Sequence, residues 1–216
     1  MTGDEEKVLT LAIAKEVARR LEEDASIEVV LTRTSDESVS LEQRTAVANA
    51  QGADLFVSIH ANASESSTAA GVETYTLNNT DDRATMRLAA LENGLAFTGA
   101  GPSDGADETD LAFILSDLLQ TGKEDESIAL AEAVQGNLVR YLQDKWRSVS
   151  DLGVKKGPFY VLVGAYMPCV LVEVGFLTNP TEGQRIASAR YQRDIAEGIR
   201  RGIRAFIASS GTSANL

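Results

Sequence analysis

The sequence has a single histidine, His60, and a single cysteine, Cys169, among its 216 residues. One cysteine excludes a disulfide bond within the chain, and its apolar neighbours favour a buried core position. Basic residues are also few, since 20 Lys and Arg stand against 32 Asp and Glu, a formal net charge of −12. This balance argues against a nucleic-acid partner, which requires a basic face. No apolar segment is long enough to span a bilayer.

The hydrophobic content of 44% is sufficient for one substantial core, so we expect residues 1–216 to form a single domain. Helical spacing of apolar residues predicts helices at about 4–23, 41–50 and 127–146, one that begins at Pro180, and a last one around the apolar stripe of 195–207. Strands are predicted at 27–32, 54–62, 71–77 and 170–176, and residues 157–163 are expected to lead into a strand.

This alternation of helices and strands predicts an α/β fold with a mostly parallel central sheet flanked by helices. The strand at 71–77 alternates apolar and polar residues, which indicates an edge or half-exposed position in the sheet. Residues 78–126 interrupt the rhythm with a helical stretch at 81–93, a glycine-rich loop at 98–105 and an apolar piece at 111–119. A connection of this length is usually functional or mobile. The tail from about residue 209 is predicted to be disordered.

Two polar residues stand out at the ends of predicted strands. His60 follows the apolar run at 54–59, and Glu173 lies within the apolar run at 170–176. Each has an ordinary interpretation, as a hydrogen-bonded histidine and as a solvent-facing carboxylate. Together they favour a site, because an ionised glutamate in a buried strand is expensive unless it is paired or bound to a metal. Ligands bind at the carboxyl ends of the strands in open α/β sheets.

Several short segments, in order along the chain, carry a resemblance to a known family: Glu6-Lys7 with 11–14, 31–33, 41–44 with Ala48-Asn49, 58–62, 71–73 and 171–179. The chain resembles the zinc-dependent N-acetylmuramoyl-L-alanine amidases of the Amidase_3 family over nearly its whole length. The resemblance implies a hydrolase that cleaves the amide bond between N-acetylmuramic acid and the first L-alanine of the peptidoglycan stem peptide. It also implies a three-layer fold and an extracytoplasmic, for example periplasmic, location.

The resemblance assigns roles to three residues. Glu6 and His60 match two zinc ligands, and Glu173 matches the catalytic glutamate. The family's first histidine ligand follows the first strand in a Gly-His-Gly-Gly segment, which this sequence does not contain, so the chain is expected to be truncated and to lack that strand and ligand. With two ligands it should hold zinc poorly. Apart from the resemblance, Glu6 would be a solvated acid at a helix start, favoured by the helix dipole.

Two further residues, Arg44 and Asn62, have ordinary interpretations as a helix surface charge and a turn residue. We retain them as candidates for binding substrate or for orienting a ligand. Residues 80–126 resemble the regulatory insertion of the cell-division amidases, in which a helix carries a glutamate into the zinc site until an activator protein withdraws it. By position this autoinhibitory glutamate is Glu92, although a solvated helix residue is the alternative. An alternative function is a non-catalytic peptidoglycan-binding or regulatory module.

Overall fold

A computed structural model describes residues 6–95 and 123–211 of the chain. Within these ranges four strands form one sheet in the order β1-β4-β2-β3. The strands are β1 (Phe56–Asn62), β2 (Val72–Leu77), β3 (Asp151–Gly157) and β4 (Cys169–Phe176). The β1–β4 and β2–β3 pairs are parallel, and the β2–β4 pair in the centre is antiparallel. The predicted α/β class with a mostly parallel sheet is therefore confirmed.

The helices mostly begin and end close to the predicted positions: α1 (Glu6–Leu21), α2 (Leu41–Ala50), α3 (Arg83–Glu92), α4 (Glu124–Lys145), α5 (Pro180–Ile186) and α6 (Ala189–Ser210). A capping box of Ser40 and Gln43 starts α2. Pro180 occupies the first turn of α5, where its missing N–H leaves no helical bond unmade. Each helix in the described ranges is too short or too polar to cross a membrane.

The two faces of the sheet pack against different helices. On one face, Val170, Val172 and Val174 of β4 join the larger core with α1, α4 and α6. On the opposite face, Leu171 of β4 joins a smaller core with residues of α2, α3 and a 3-10 turn at Tyr160–Leu162. Alternate residues of β4 thus point to opposite layers, as the two-residue period of a strand requires. The polar residues His60, Glu173 and Glu73 lie on the face of the sheet that this smaller core covers.

Two predictions about strands are wrong. Residues 27–32 form neither strand nor helix, although Ile27 and Val29 pack against the larger core. Apolar side chains of this segment pack against the core, but the segment is not paired with any strand of the described sheet. The strand at 71–77 is interior and buried, not at an edge, because β3 pairs with its outer side.

The strand β3 itself was not predicted, because its residues Gly153, Lys155 and Lys156 are poor strand formers. Strand β3 ends at Gly157 and is followed by Pro158 and by the 3-10 turn at Tyr160–Leu162. Residues 157–163 therefore do not lead directly into a strand. The helix α6 continues to Ser210, beyond the predicted start of the tail. The predicted glycine-rich loop at 98–105, the apolar piece at 111–119 and residues 212–216 lie outside the described residues.

The contact between α4 and α6 depends on two glycines. A Cβ atom on Gly198 would lie 2.8 Å from the Cα of Leu138, and one on Gly202 would overlap the backbone at Val134. Backbone atoms cannot move aside as a flexible side chain can, so only glycine permits this close approach.

We therefore expect Gly202→Ala to lower the free energy of unfolding by about 1–3 kcal/mol, because overpacking outweighs alanine's better helix propensity. Chemical denaturation followed by circular dichroism measures this. Gly136→Ala on α4 is the matched control, since a Cβ there meets nothing within 4 Å. The control should be neutral or stabilised by up to ~1 kcal/mol. Equal destabilisation of both variants would show that helix contact is not the cause.

Candidate metal centre and catalytic residues

Three strands bring three titratable side chains into one row. In the sheet register, His60 of β1 lies beside Glu173 of β4, and Glu173 lies beside Glu73 of β2. Paired residues on neighbouring strands point to the same face, and this face is that of the smaller core. The row lies near the carboxyl end of β1, where His60 is followed by Asn62 at the end of the strand. This register places His60 and Glu173, the two polar residues that stand out in the sequence, side by side.

Two helix ends complete a cluster around His60. Glu6 is the first residue of α1 and Glu92 is the last residue of α3. The Nδ1 atom of His60 lies 2.6 Å from Glu92 Oε2 and 3.1 Å from Glu6 Oε1. Glu6 Oε1 also accepts a hydrogen bond of 3.2 Å from the backbone N–H of Ala61, which fixes it against the end of β1. The structure therefore brings together the two predicted ligands and the predicted inhibitory glutamate.

This cluster fits a metal ion by its chemistry. One potential ligand atom from each of Glu6, His60 and Glu92 lies within 4.8 Å of the others. Imidazole nitrogen and carboxylate oxygen are donors that zinc accepts in proteins. His60 Nε2 lies 3.0 Å from Ser58 Oγ, so the second ring nitrogen is held by a hydrogen bond, as is usual for a histidine that binds a metal.

Charge within the cluster changes the ionisation of its members. Burial by itself lowers the pKa of His60, but hydrogen bonds with Glu6 and Glu92 outweigh burial and raise this pKa to about 10. Burial tends to raise the pKa of Glu6, yet the hydrogen bond to His60, the N–H of Ala61 and the charge of Arg44 keep it below the ordinary value. The raised pKa of His60 and the lowered pKa of Glu6 both favour an ion pair between these two residues.

Glu173 is the most unusual residue of the site. Its side chain is fully buried, and neither carboxyl oxygen has a hydrogen-bond partner in the described part of the chain. Burial raises its pKa well above the ordinary value; His60 opposes this, and the charges of Glu92, Glu6 and Glu73 add to it. A buried polar group without a partner is rare in folded proteins and often marks a functional position.

Beyond Glu173, the row continues through residues that the sequence reasoning missed. Glu73 is buried, and its Oε1 accepts a hydrogen bond of 2.8 Å from Asn62 Nδ2, while its Oε2 accepts one of 2.6 Å from Lys155 Nζ. Asn62 is thus directed to Glu73 and not to the ligand cluster. Because 71–77 was expected to be a half-exposed strand, Glu73 looked like a solvent-facing residue. The alternation of polar and apolar residues that follows Glu73 gave no indication that Glu73 itself is buried.

Arg44 lies on the other side of the cluster, on α2. It is half-buried and donates from Nε to the backbone oxygen of Val39 over 3.2 Å. Burial and the nearby charge of Arg33 lower its pKa, whereas the carboxylates of Glu92 and Glu6 raise it. Arg44 is therefore close enough to these two carboxylates to compensate part of their charge.

The position of Glu92 depends on the residue that follows it. Asn93 caps the end of α3, donates from Nδ2 to the backbone oxygen of Pro158 over 2.8 Å, and accepts from the backbone N–H of Tyr160 over 2.8 Å. Earlier in the helix, Arg87 Nη1 lies 2.8 Å from Glu65 Oε2, an exposed pair. These contacts fasten α3 against the sheet layer so that its last residue reaches His60.

Comparison with known proteins gives a consistent picture. The family model for N-acetylmuramoyl-L-alanine amidase matches residues 1–205. N-acetylmuramoyl-L-alanine amidase AmiC of Escherichia coli O6:H1 is 30% identical over 211 residues, covering 97% of this chain and 49% of that protein. AmiA of Escherichia coli K12 is 32% identical over 206 residues, covering 93% and 68%. The chain thus spans about half the length of AmiC.

Among solved structures, an N-acetylmuramoyl-L-alanine amidase from Clostridium difficile 630 matches with a TM-score of 0.72 and 33% sequence identity, covering 97% of this chain and 88% of that one. The central sheet flanked by helices is therefore a known architecture. The match of the family model to nearly the whole sequence confirms the resemblance seen in its motifs. The chain belongs to the Amidase_3 family of N-acetylmuramoyl-L-alanine amidases.

Proposed function

We propose that this chain is the catalytic domain of a zinc-dependent amidase that cleaves peptidoglycan between N-acetylmuramic acid and L-alanine. The observation that carries the proposal is the buried, unpartnered carboxyl group of Glu173 beside the Glu6, His60 and Glu92 cluster. The family match supports the substrate class. The domain comprises residues 1–216, with residues 80–126 as a regulatory insertion, and it acts outside the cytoplasm in wall turnover and daughter-cell separation.

Glu6 and His60 would hold the zinc ion, with Glu92 as a third donor in the state described here. When bound, zinc lowers the pKa of a water molecule toward ~7 and polarises the amide carbonyl. The resemblance implies a further ligand, a histidine of a Gly-His-Gly-Gly segment. This sequence does not contain that segment, and His60 is its one histidine, so the family's full ligand set stays a prediction.

Glu173 supplies the proton transfers in this proposal. Its carboxylate takes a proton from the attacking water, and the resulting carboxylic acid donates that proton to the leaving nitrogen of the amide. Burial favours the protonated form, which suits the second transfer, while the neighbouring positive charge of His60 or of a metal favours the ionised form needed for the first. The absence of a hydrogen-bond partner among the described residues leaves both oxygens available for the reacting groups.

Glu92 acts as an inhibitor in this proposal. With a metal bound at Glu6 and His60, the carboxylate of Glu92 would take the place of the attacking water. Release requires α3 to move, which breaks the contacts of Asn93 with Pro158 and Tyr160. An activator protein that binds the displaced α3 more tightly than the docked one would shift the equilibrium to the active state.

Arg44 is proposed to contact the substrate on the α2 side of the cluster. It is half-buried, carries a positive charge near Glu6 and Glu92, and uses one N–H on the backbone of Val39. When Glu92 withdraws, the guanidinium of Arg44 would still have N–H donors for a carbonyl or anionic group of the substrate.

Replacing Glu173 by Gln keeps the shape of the side chain and removes the proton acceptor. We expect hydrolysis of purified peptidoglycan to fall by a factor on the order of 10² to 10⁴. Zinc retained after dialysis should be unchanged, because Glu173 is not in the ligand cluster. Glu132→Gln, on the exposed side of α4, is the control. Full activity with Gln at position 173 would exclude it as the proton acceptor.

Replacing Glu92 by Ala separates its two proposed effects. Zinc affinity, measured by titration, should fall at least about tenfold because one donor is lost. At saturating zinc, basal hydrolysis of peptidoglycan should rise, because no carboxylate competes with water. Glu132→Ala is the matched control, with an exposed glutamate on another helix. Unchanged affinity and unchanged basal hydrolysis would show that Glu92 is neither a donor nor an inhibitor.

A further inference from the structure

The row of charged residues does not stop at the proposed catalytic centre but crosses the whole sheet. His60 on β1, Glu173 on β4, Glu73 on β2 and Lys155 on β3 each contribute one side chain to the same face. Lys155 is the last member and lies on the edge strand. Its position is fixed, because Glu73 holds its ammonium group at 2.6 Å.

The last two members of this row, Glu73 and Lys155, differ in how far their side chains are exposed to solvent. The Glu73 side chain is 3% exposed and the Lys155 side chain 38% exposed. Both oxygens of Glu73 already accept hydrogen bonds, from Asn62 and from Lys155. The carboxylate of Glu73 is therefore shielded from a solute that approaches from solvent, whereas the side chain of Lys155 is accessible to it. An ammonium has three donors, and Glu73 is its one hydrogen-bond partner among the described residues.

A fixed, half-exposed lysine at this place is notable because its surroundings are acidic. Glu6, Glu92, Glu173 and Glu73 all lie in or beside the row, and the chain as a whole has a net charge of −12. A negatively charged substrate would be repelled along this surface unless a cation received it. Arg44 lies at the β1 end of the row, and Lys155 lies at the β3 end.

We infer that Lys155 binds a carboxylate of the stem peptide and thereby selects substrates with a free acid near the scissile amide; this inference rests on the proposed function. The glycan is uncharged once its lactyl carboxyl is joined in the amide, whereas a stem peptide whose last carboxyl group is not joined in an amide ends in a carboxylate. Lys155 lies two strand spacings across the sheet from Glu173 and two residues further along, because it pairs with Tyr75 and not with Glu73; the two backbone positions are therefore about 12 Å apart. An extended peptide covers ~3.3–3.6 Å per residue, so the carboxylate lies within about four residues of the scissile bond.

Lys155 is followed in sequence by a residue of the same type that serves as a control. Lys156 pairs with Glu124 on α4 at 2.8 Å, and its neighbour Val154 packs against the larger core, so Lys156 belongs to the opposite face of β3. Lys155→Met and Lys156→Met remove the same charge from adjacent positions of one strand. They differ in the face of the sheet from which the charge is removed.

The test measures the dissociation constant of a synthetic N-acetylmuramoyl tripeptide in two forms, with free carboxyl groups and with all carboxyl groups converted to primary amides. Every chain carries Glu92→Ala, so that this carboxylate does not occupy the site, and calorimetry reports binding independently of turnover. The parent chain should bind the acid about tenfold more tightly than the amide, as expected for a hydrogen bond between charged groups. Lys155→Met should abolish this preference, and Lys156→Met should retain it.

Two more variants test whether Lys155 acts through its charge or only supports the structure. Lys155→Arg keeps the charge and should restore the preference at least in part. Lys155→Met combined with Glu73→Gln avoids leaving a buried carboxylate unpaired, and it should lose the preference while remaining folded. In hydrolysis, the loss should be in KM with kcat retained. Equal binding of acid and amide by the parent chain, or a preserved preference in Lys155→Met, would overturn the inference. Preferential binding of the acid without hydrolysis would support the inference and contradict the proposed function.

Discussion

The structure depends on a carboxyl group that is buried without a partner. Glu173 lies in the middle of the sheet, with no exposed surface and no hydrogen bond to either oxygen among the described residues. Removing a charged carboxylate from water is unfavourable by several kcal/mol even after relaxation. The fold tolerates it because burial favours the uncharged form of Glu173, while His60 on the neighbouring strand β1 would stabilise the ionised form. Glu73 on β2 adds repulsion, and Lys155 pairs with Glu73 at 2.6 Å. The polar row is thus a consequence of strand register.

The same register explains how residues distant in sequence form one site. His60 and Glu173 are brought together by the parallel β1–β4 pair, and Glu73 joins through the antiparallel β4–β2 pair. Helix ends then deliver Glu6 and Glu92 to His60 from two directions. A strand fixes its residue from both sides, whereas a helix end can withdraw. This difference is why the proposed inhibitory group lies on α3 and the proposed proton acceptor lies on β4.

Sequence reasoning reached much of this arrangement, for identifiable reasons. The helices were predictable because their apolar spacing and caps are local signals, as at Ser40 and Pro180. His60 and Glu173 were predictable because polar residues in apolar strands are conspicuous, and the family resemblance added Glu6 and Glu92. Strand β3 could not be predicted, since Gly153 and two lysines carry no local strand signal and its stability comes from pairing with β2. Missing β3 placed β2 at an edge, and so concealed both Glu73 and Lys155.

The central proposal is that this face of the sheet, around Glu173 and His60, carries out metal-assisted hydrolysis of the amide bond at L-alanine. The most direct test incubates purified peptidoglycan with the Glu92→Ala chain, with saturating zinc in one sample and a chelator in the other, and identifies the soluble products by mass spectrometry. The account predicts stem peptides with a free amino-terminal alanine in the zinc sample and none with the chelator. Muropeptides that still join sugar to alanine, or equal release of free peptides in both samples, would contradict it.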